Sequence, residues 1–184
     1  SPPCIKFGVG SKEKAVSSFS QPALREFNNL EKHNDFSSWY NDLNVYEFKE
    51  SLYVYKLLID ILGSPHDGLL RALDVGSKNW CYFPALNSFT GDATHWTGVE
   101  LDAHKRYISM VTREEWANRI IGKKKSIASF VAADMLTIRG KFQLITWFLP
   151  FITPYPHNRW GLPDKFFRPL DYLEHVASLL DTGG

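Results

Sequence analysis

The stretch LLRALDVGSKNWCYFPALNSFTGDATHWTGVELD, residues 69–102, decides the fold, because it predicts two strands joined by a helix. Residues 69–76 form an apolar run that ends in Asp74, Val75 and Gly76. Residues 95–100 form a second run, which ends in Glu100. The segment between the two runs has the length of a crossover helix, so we expect two parallel, neighbouring strands in one sheet.

The acids that end these two strands indicate a binding site. Ligands of a parallel sheet bind outside the carboxyl ends of its strands. Glu100 lies where an acid can accept hydrogen bonds from both hydroxyls of a ribose, and Asp74 lies where the chain turns beneath the ligand. The pattern therefore indicates a cofactor that carries a nucleoside.

Strands and helices alternate along most of the chain, which predicts an α/β fold with a doubly wound, mostly parallel sheet and helices on both faces. Third and fourth strands are predicted over residues 127–132 and 142–147, followed by a proline-rich loop over 149–163. The predicted helices begin near Pro22 with Ser20 as cap, span about 46–62 and 165–180, and cover 102–122 with a break near Thr112.

Three segments are predicted along the chain. Residues 1–20 are polar and without period, and we expect a flexible arm. Residues 21–66 are expected to form an N-terminal helical cap, and residues 67–184 the Rossmann-like domain.

Composition excludes several classes of protein. The net charge of +1 gives no electrostatic case for binding nucleic acid or a membrane surface. No apolar run approaches the roughly 18–20 residues of a membrane-spanning helix. Cys4 and Cys81 are far apart, and the six histidines have no metal-ligand spacing, so we expect neither a disulfide scaffold nor a metal site. A cytoplasmic protein is the expectation.

Five short segments, in this order, resemble the class I S-adenosylmethionine-dependent methyltransferases. Residues 73–76, LDVG, resemble the opening of the family's first motif, and residues 98–100, GVE, the end of its second strand. Residues 133–135, ADM, resemble the position after the third strand, and residues 142–150 the fourth strand with its catalytic edge. Residues 179–184, LLDTGG, resemble the turn that enters the fifth strand.

The resemblance implies that S-adenosylmethionine is the cofactor and that its methyl group passes to an acceptor by in-line displacement. It places Asp74 at the turn around the methionine part, Glu100 on the ribose, and Asp134 with Met135 on the adenine. The implied cofactor-binding residues are Asp74, Gly76, Ser77, Glu100, Leu101, Asp134, Met135 and Trp147. No catalytic residue is implied; His157 is the histidine nearest the expected acceptor side.

The chain departs from the family pattern at three places. Gly76 is followed by Ser77-Lys78-Asn79-Trp80 and not by alternating glycines. Residues 147–151, WFLPF, lack the acid or asparagine that precedes Pro-Pro and an aromatic in members that methylate bases and amides. The sequence ends at the turn before the fifth strand, so we expect the C-terminal strands of the domain to be missing.

Two alternatives to a methyltransferase remain open. An NAD-dependent oxidoreductase is disfavoured by the acid at the end of the first strand and by the missing G-x-G-x-x-G pattern. A Rossmann-like binding domain without catalysis is compatible with the turn that follows Asp74. The sequence does not identify the acceptor; a small molecule is favoured, no membrane is expected, and nucleic acid is not indicated.

Overall fold

The computed structural model describes residues 8–65, 68, 70–148 and 150–182. In these residues the chain forms eight α-helices and four β-strands. The helices are α1 (Lys12–Val16), α2 (Gln21–Leu30), α3 (Trp39–Asp42), α4 (Val45–Leu62), α5 (Phe83–Thr90), α6 (Arg113–Ile121), α7 (Pro154–Arg159) and α8 (Pro169–Leu179). The strands are β1 (Arg71–Val75), β2 (His95–Glu100), β3 (Ala128–Ala132) and β4 (Leu144–Trp147).

The four described strands form one parallel sheet in the order β3-β2-β1-β4. Asp74 of β1 lies opposite Gly98 of β2 on one side and opposite Thr146 of β4 on the other. The strand order reverses between β1 and β4, and such a switch point opens a crevice for ligands at the carboxyl ends of the strands. The parallel α/β sheet predicted from the sequence is thereby confirmed.

The chain divides into two compact units. The first comprises Ser1–Asp67 with Cys81–Gly91, and the second comprises Gly68–Trp80 with Asp92–Gly184. The crossover helix α5 therefore belongs to the helical unit. The helical segment expected from the sequence, residues 21–66, does not include this helix. Within that unit, the Ser51 hydroxyl of α4 donates a hydrogen bond of 3.0 Å to the Cys81 carbonyl, just before α5.

The helical unit has an aromatic core. The rings of Phe27, Phe36, Trp39, Phe48 and Tyr55 are buried, with centroids 4.6–6.2 Å apart in the contacting pairs. Most of these pairs are tilted or edge-on, the arrangement that the quadrupole of an aromatic ring favours.

A capping box fixes the start of α4. The Asn44 side chain accepts hydrogen bonds from the backbone N–H groups of Tyr46 and Glu47, and the Glu47 carboxylate accepts from the Asn44 N–H. These contacts satisfy backbone donors that the first turn of a helix leaves without partners.

Several elements differ from their predicted bounds. Residues 102–112 are not helical; Arg106 and Thr112 form an isolated antiparallel bridge there, and α6 begins only at Arg113. Thr112 and Glu115 form a capping box at that point, which explains the late start. The predicted loop over 149–163 contains α7, and α8 begins at Pro169, four residues later than expected. A five-residue helix, α1, lies within the segment expected to be a flexible arm.

The chain returns to the sheet after α8. Phe142 and Leu180 form a parallel bridge: the Phe142 N–H donates to the Leu179 carbonyl, and the Asp181 N–H donates to the Phe142 carbonyl. This is where the family resemblance places the approach to a fifth strand. The predicted Gly183–Gly184 turn lies outside the described residues, as do Leu69 and Leu149. None of the described helices has both the length and the apolar character that crossing a bilayer requires.

Gly98 in β2 makes room for a fully buried tryptophan. A Cβ at this position would lie 2.8 Å from the Trp80 ring and 2.9 Å from the Ser77 hydroxyl. On the sheet's neighbouring strand, the Phe130 ring lies 6.0 Å from the Trp80 ring. The absence of a side chain at residue 98 is therefore a packing requirement.

We expect Gly98→Ala to lower the free energy of unfolding by about 1–3 kcal/mol, because the added methyl group overpacks a filled core. Urea denaturation measures the change. Gly68→Ala is the matched control, since a Cβ at Gly68 meets nothing within 4 Å. Equal stability of the two variants would contradict the packing argument.

Candidate functional site

A cavity of about 220 Å³ lies at the carboxyl ends of the strands, within the sheet unit. Residues at the end of each strand, or just after it, line the cavity. They are Val75 and Gly76 at β1, Val99–Asp102 at β2, Ala133 and Met135 at β3, and Trp147 and Phe148 at β4. Its remaining walls are formed by Lys78, Arg113, Phe151, His157, Trp160, Leu162, Phe166, Arg168 and Tyr172.

The turn after β1 adopts a left-handed backbone at every second residue. Gly76, Lys78 and Trp80 have φ values of 70°, 51° and 53°. These are the alternate positions at which the family resemblance expects glycines. A left-handed backbone costs a residue with a side chain roughly 1–2 kcal/mol. The structure therefore has the alternating geometry although two of the three residues are not glycine.

Hydrogen bonds to the end of β2 hold this turn in place. The N–H groups of Gly76 and Ser77 both donate to the Val99 carbonyl, at 2.9 and 3.1 Å. The Lys78 N–H donates to Glu100 Oε2 at 2.8 Å. These contacts offset the strain of the left-handed residues.

Glu100 is the best-anchored acid of the site. Its side chain is 8% exposed and lines the cavity. Oε1 accepts hydrogen bonds from the Asp102 N–H at 2.9 Å and from Arg113 Nη1 at 3.0 Å. Together with the Lys78 backbone N–H on Oε2, the carboxylate has three donors, one each from the turn after β1, the end of β2 and helix α6. These three contacts fix the orientation of the carboxylate in the cavity wall.

Asp74 and Ser77 lie beneath the turn. Both are fully buried, and neither lines the cavity. Asp74 Oδ1 accepts a hydrogen bond of 2.7 Å from the Thr146 hydroxyl on β4, and the Ser77 hydroxyl donates to the Asp74 carbonyl at 2.8 Å. The structure thus places both side chains beneath the turn and not in the cavity wall, and their contact with a cofactor stays a prediction.

Asp134 lies between two residues that line the cavity, Ala133 and Met135, but does not line it itself. Its Oδ1 accepts from the Leu136 N–H at 3.0 Å, and its Oδ2 accepts from Arg168 Nη2 at 3.1 Å. Met135, the next residue, is buried and lines the cavity. Burial, together with the nearby Asp134 charge, raises the pKa of Tyr172 to about 12. The Tyr172 phenol is thus neutral at physiological pH.

The segment over residues 150–168 covers the cavity with aromatic side chains. The Trp160 ring lies 5.2 Å from the Arg113 guanidinium and 5.3 Å from Lys105 Nζ, distances typical of cation–π contacts. His157 is buried, and its Nε2 lies 3.1 Å from the Pro163 carbonyl. A carbonyl oxygen only accepts, so Nε2 carries the proton of that bond and secures the segment.

Five of the eight predicted cofactor residues line this cavity: Gly76, Glu100, Leu101, Met135 and Trp147. Their contact with a cofactor stays a prediction. The sequence analysis missed Arg113, Arg168, Trp160 and Tyr172, which reach the site from segments far along the chain. One signal could have found Arg113: the Thr112–Glu115 capping box places it in the first turn of α6.

A second, larger cavity of about 410 Å³ lies within the helical unit. Two of its charged side chains, Glu26 and Lys56, pair with each other at 3.5 Å. We assign the functional site to the smaller cavity, since the buried Glu100 carboxylate and several aromatic rings meet there. Among the side chains that the structure describes, no three His, Cys, Asp or Glu residues come together as a metal site requires.

The Asp74–Thr146 contact gives a testable expectation for stability. Thr146→Val keeps the shape of the side chain and removes the donor to a buried carboxylate, which we expect to destabilise the fold by about 1–3 kcal/mol. Thr146→Ser, which keeps the hydroxyl, is the control. Chemical denaturation compares the two, and a Val variant as stable as the Ser variant would refute the supporting role of this bond.

Comparison with known proteins bears on the fold. No family model and no curated protein matches the sequence. Among solved structures, a cyclopropane-fatty-acyl-phospholipid synthase-like protein from Lactobacillus casei is similar, with a TM-score of 0.53 and 9% identity. The alignment covers 85% of this chain and 55% of that protein, so the chain spans about half of its length.

Other similar structures are described as methyltransferases. A SAM-dependent methyltransferase from Aquifex aeolicus has a TM-score of 0.47 at 14% identity, with 84% of this chain and 66% of that chain covered. SAM-bound CalS10, an amino pentose methyltransferase from Micromonospora echinaspora, has a TM-score of 0.43 at 15% identity, with 90% and 54% covered. Identities this low bear on fold alone. The chain has a parallel, Rossmann-like α/β fold, similar to that of the Lactobacillus casei protein.

Proposed function

We propose that this protein binds S-adenosylmethionine and transfers its methyl group to an acceptor molecule. One observation carries the proposal: the anchored Glu100 carboxylate lies in the wall of a cavity at the carboxyl ends of the strands. In sheets of this type an acid at the end of the second strand binds the hydroxyls of a ribose.

The side chains of the cavity fit a nucleoside cofactor. A carboxylate offers about four acceptor positions. Three are used at Glu100, which leaves capacity for a ligand hydroxyl. Met135 and Phe166 offer apolar surface to a base. The rings of Trp147 and Phe151 also face the cavity, and aromatic faces attract a cation such as a sulfonium by about 0.5–2 kcal/mol.

The chain's contribution to such a reaction is mainly positioning, which can supply about 7–11 kcal/mol. S-adenosylmethionine, when bound, supplies a methyl group that its sulfonium already activates. Glu100 orients the nucleoside, and the residues 150–168 exclude water from above. Tyr172 is neutral and His157 Nε2 is committed to Pro163, so neither is assigned as the base that removes a proton from the acceptor.

The cavity of about 220 Å³ lies below the range of about 300–1,000 Å³ that is usual for ligand pockets. We expect the side chains of the covering segment to adjust when a whole cofactor binds. Fluorescence of Trp160, whose ring contacts Lys105 and Arg113, would report such a change. The net charge of +1 supports a small-molecule acceptor over a polyanion.

A binding domain without catalysis is the second candidate. One observation favours it: two of the three left-handed positions in the turn after β1 are occupied by Lys78 and Trp80 and not by glycine. Titration of ligands together with an assay of methyl transfer separates the two candidates.

We expect S-adenosylhomocysteine to bind with micromolar affinity in calorimetric titration, and NAD not to bind. Glu100→Gln should weaken S-adenosylhomocysteine by about 10–100-fold, because the ligand loses a charge-assisted hydrogen bond of about 1.5–3 kcal/mol.

Asp92→Asn is the control for this titration, since Asp92 is 66% exposed and pairs with Lys124. It should bind like the unchanged protein. Unaltered affinity in Glu100→Gln would remove the ribose role, and a folded protein that binds no S-adenosylhomocysteine would refute the methyltransferase proposal.

Asp134→Asn tests the adenine end of the site. The variant keeps an acceptor for the Leu136 N–H and loses the charge that pairs with Arg168. We expect about a 3–10-fold loss in adenosine affinity and a smaller preference for adenosine over inosine. If the ratio of the adenosine and inosine affinities were unchanged, Asp134 would not contact the base.

A further inference from the structure

Arg168 is an exposed cation in the wall of the cavity, and several contacts hold it. It is the capping residue of α8: the Tyr172 N–H donates a hydrogen bond of 3.1 Å to its carbonyl, and Pro169 follows as the first helical residue. Its guanidinium donates from Nη2 to Asp134 Oδ2 at 3.1 Å, and its Cζ lies 5.9 Å from the centre of the Tyr172 ring. These contacts restrict a long and otherwise flexible side chain.

Arg168 is the member of this ion pair that a ligand in the cavity meets. Its side chain is 42% exposed and lines the cavity, whereas the Asp134 side chain is 18% exposed and does not line it. Asp134 is held in turn by the Leu136 N–H, which donates to its Oδ1 at 3.0 Å. The carboxylate therefore orients the guanidinium, and the guanidinium is presented to the cavity.

Apolar surfaces lie on both sides of this guanidinium along the chain. Met135 directly follows Asp134, and Phe166 precedes Arg168 by two residues. Both of these side chains line the cavity, as does the Tyr172 ring. In ligand pockets, apolar side chains provide most of the contact area, and a few polar groups at their edge fix the orientation of the ligand. A purine that packs against these side chains has its polar edge close to Arg168.

The charge of the ion pair decides which acceptor suits Arg168. A guanidinium has several N–H donors in a planar fork, and the hydrogen bond to Asp134 uses one of them. A phosphate beside Arg168 would also lie near the Asp134 carboxylate and would be repelled by it. A ring nitrogen of a base is a neutral acceptor, and adenine has such nitrogens, N1 and N7, on either side of its amino group.

We propose that Arg168 recognises the adenine base, by donating a hydrogen bond from its guanidinium to ring nitrogen N1 or N7. Asp134 holds the guanidinium in place for this contact. The inference rests on the proposed function in so far as the ligand is an adenine nucleoside. It assigns specificity for the base to a residue from the segment after β4, which no sequence motif indicated.

The experiment compares adenosine with 1-deazaadenosine and 7-deazaadenosine, in each of which a carbon replaces one ring nitrogen. Calorimetry gives the three dissociation constants. We expect the unchanged protein to prefer adenosine over one of the two analogues by about tenfold or more, because that analogue cannot accept a hydrogen bond from a charged donor. In Arg168→Met this preference should fall below about threefold, with adenosine weakened and the affinity of that analogue nearly unchanged.

Other variants serve as controls, and melting temperatures show whether each of them folds. Lys165→Met removes a nearby positive charge; the Lys165 ammonium lies over the Phe166 ring but does not line the cavity, so the preference should persist. Asp134→Asn retains the arginine and should retain a preference of about threefold or more. The double variant Asp134→Asn/Arg168→Met contains no unpaired carboxylate, and it should lose the preference as Arg168→Met does.

Equal weakening of all three nucleosides in Arg168→Met would overturn the proposal, because it indicates a purely structural role. Tighter adenosine binding in this variant would also overturn it, since Arg168 would then compete with the ligand. If the unchanged protein binds adenosine and both analogues equally well, neither ring nitrogen accepts a hydrogen bond, and the proposal is wrong.

The proposed function fails separately. If adenosine binds with the expected preference and S-adenosylhomocysteine does not bind, the base contact stands without the methyltransferase. If S-adenosylhomocysteine binds and adenosine does not, the base contact falls and the methyltransferase proposal remains. If the folded protein binds none of these ligands, both proposals fall.

Discussion

The structure of the site depends on one buried carboxylate. Glu100 joins the turn after β1, its own strand end and helix α6 through the Lys78 N–H, the Asp102 N–H and Arg113. Lys78 lies 22 residues before Glu100 in the sequence, and Arg113 lies 13 residues after it. An ionised carboxylate buried in this way is stable only while its donors remain in place. The position of the cavity wall thus follows from a single side chain.

The turn after β1 illustrates how a backbone geometry survives a change of residues. Alternating glycines allow left-handed residues at little cost, whereas Lys78 and Trp80 adopt them under strain. The strain is offset from two sides: the N–H groups of the turn bond to the end of β2, and the Trp80 ring is buried over Gly98. The turn has Trp80 where a glycine is expected, and Gly98 in β2 leaves the space that the Trp80 ring occupies.

Much of the sheet could be predicted from the sequence, because each strand is a local apolar run and crossover connections have a fixed sense. Glu100 could be found for the same reason, as it ends such a run. Arg168 could not, since its ion pair with Asp134 joins segments 34 residues apart and leaves no local pattern. The capping box could place Arg113 in the first turn of α6, but the sequence does not reveal its pairing with Glu100. The helical expectation for residues 102–112 was wrong because charged, amphipathic spacing also fits a bridged turn. The full burial of Asp74 could not be predicted, because burial on all sides of a strand end is not visible in a sequence.

The contact between Trp80 and Gly98 also couples two positions that lie 18 residues apart in the sequence. A side chain at residue 98 overpacks the core only while the Trp80 ring occupies the space above it. Substitutions at the two positions are therefore expected not to add: a smaller residue at position 80 would create room for a side chain at position 98. The turn after β1 and the strand beside it thus behave as one packing unit, in which neither residue has an independent effect on stability.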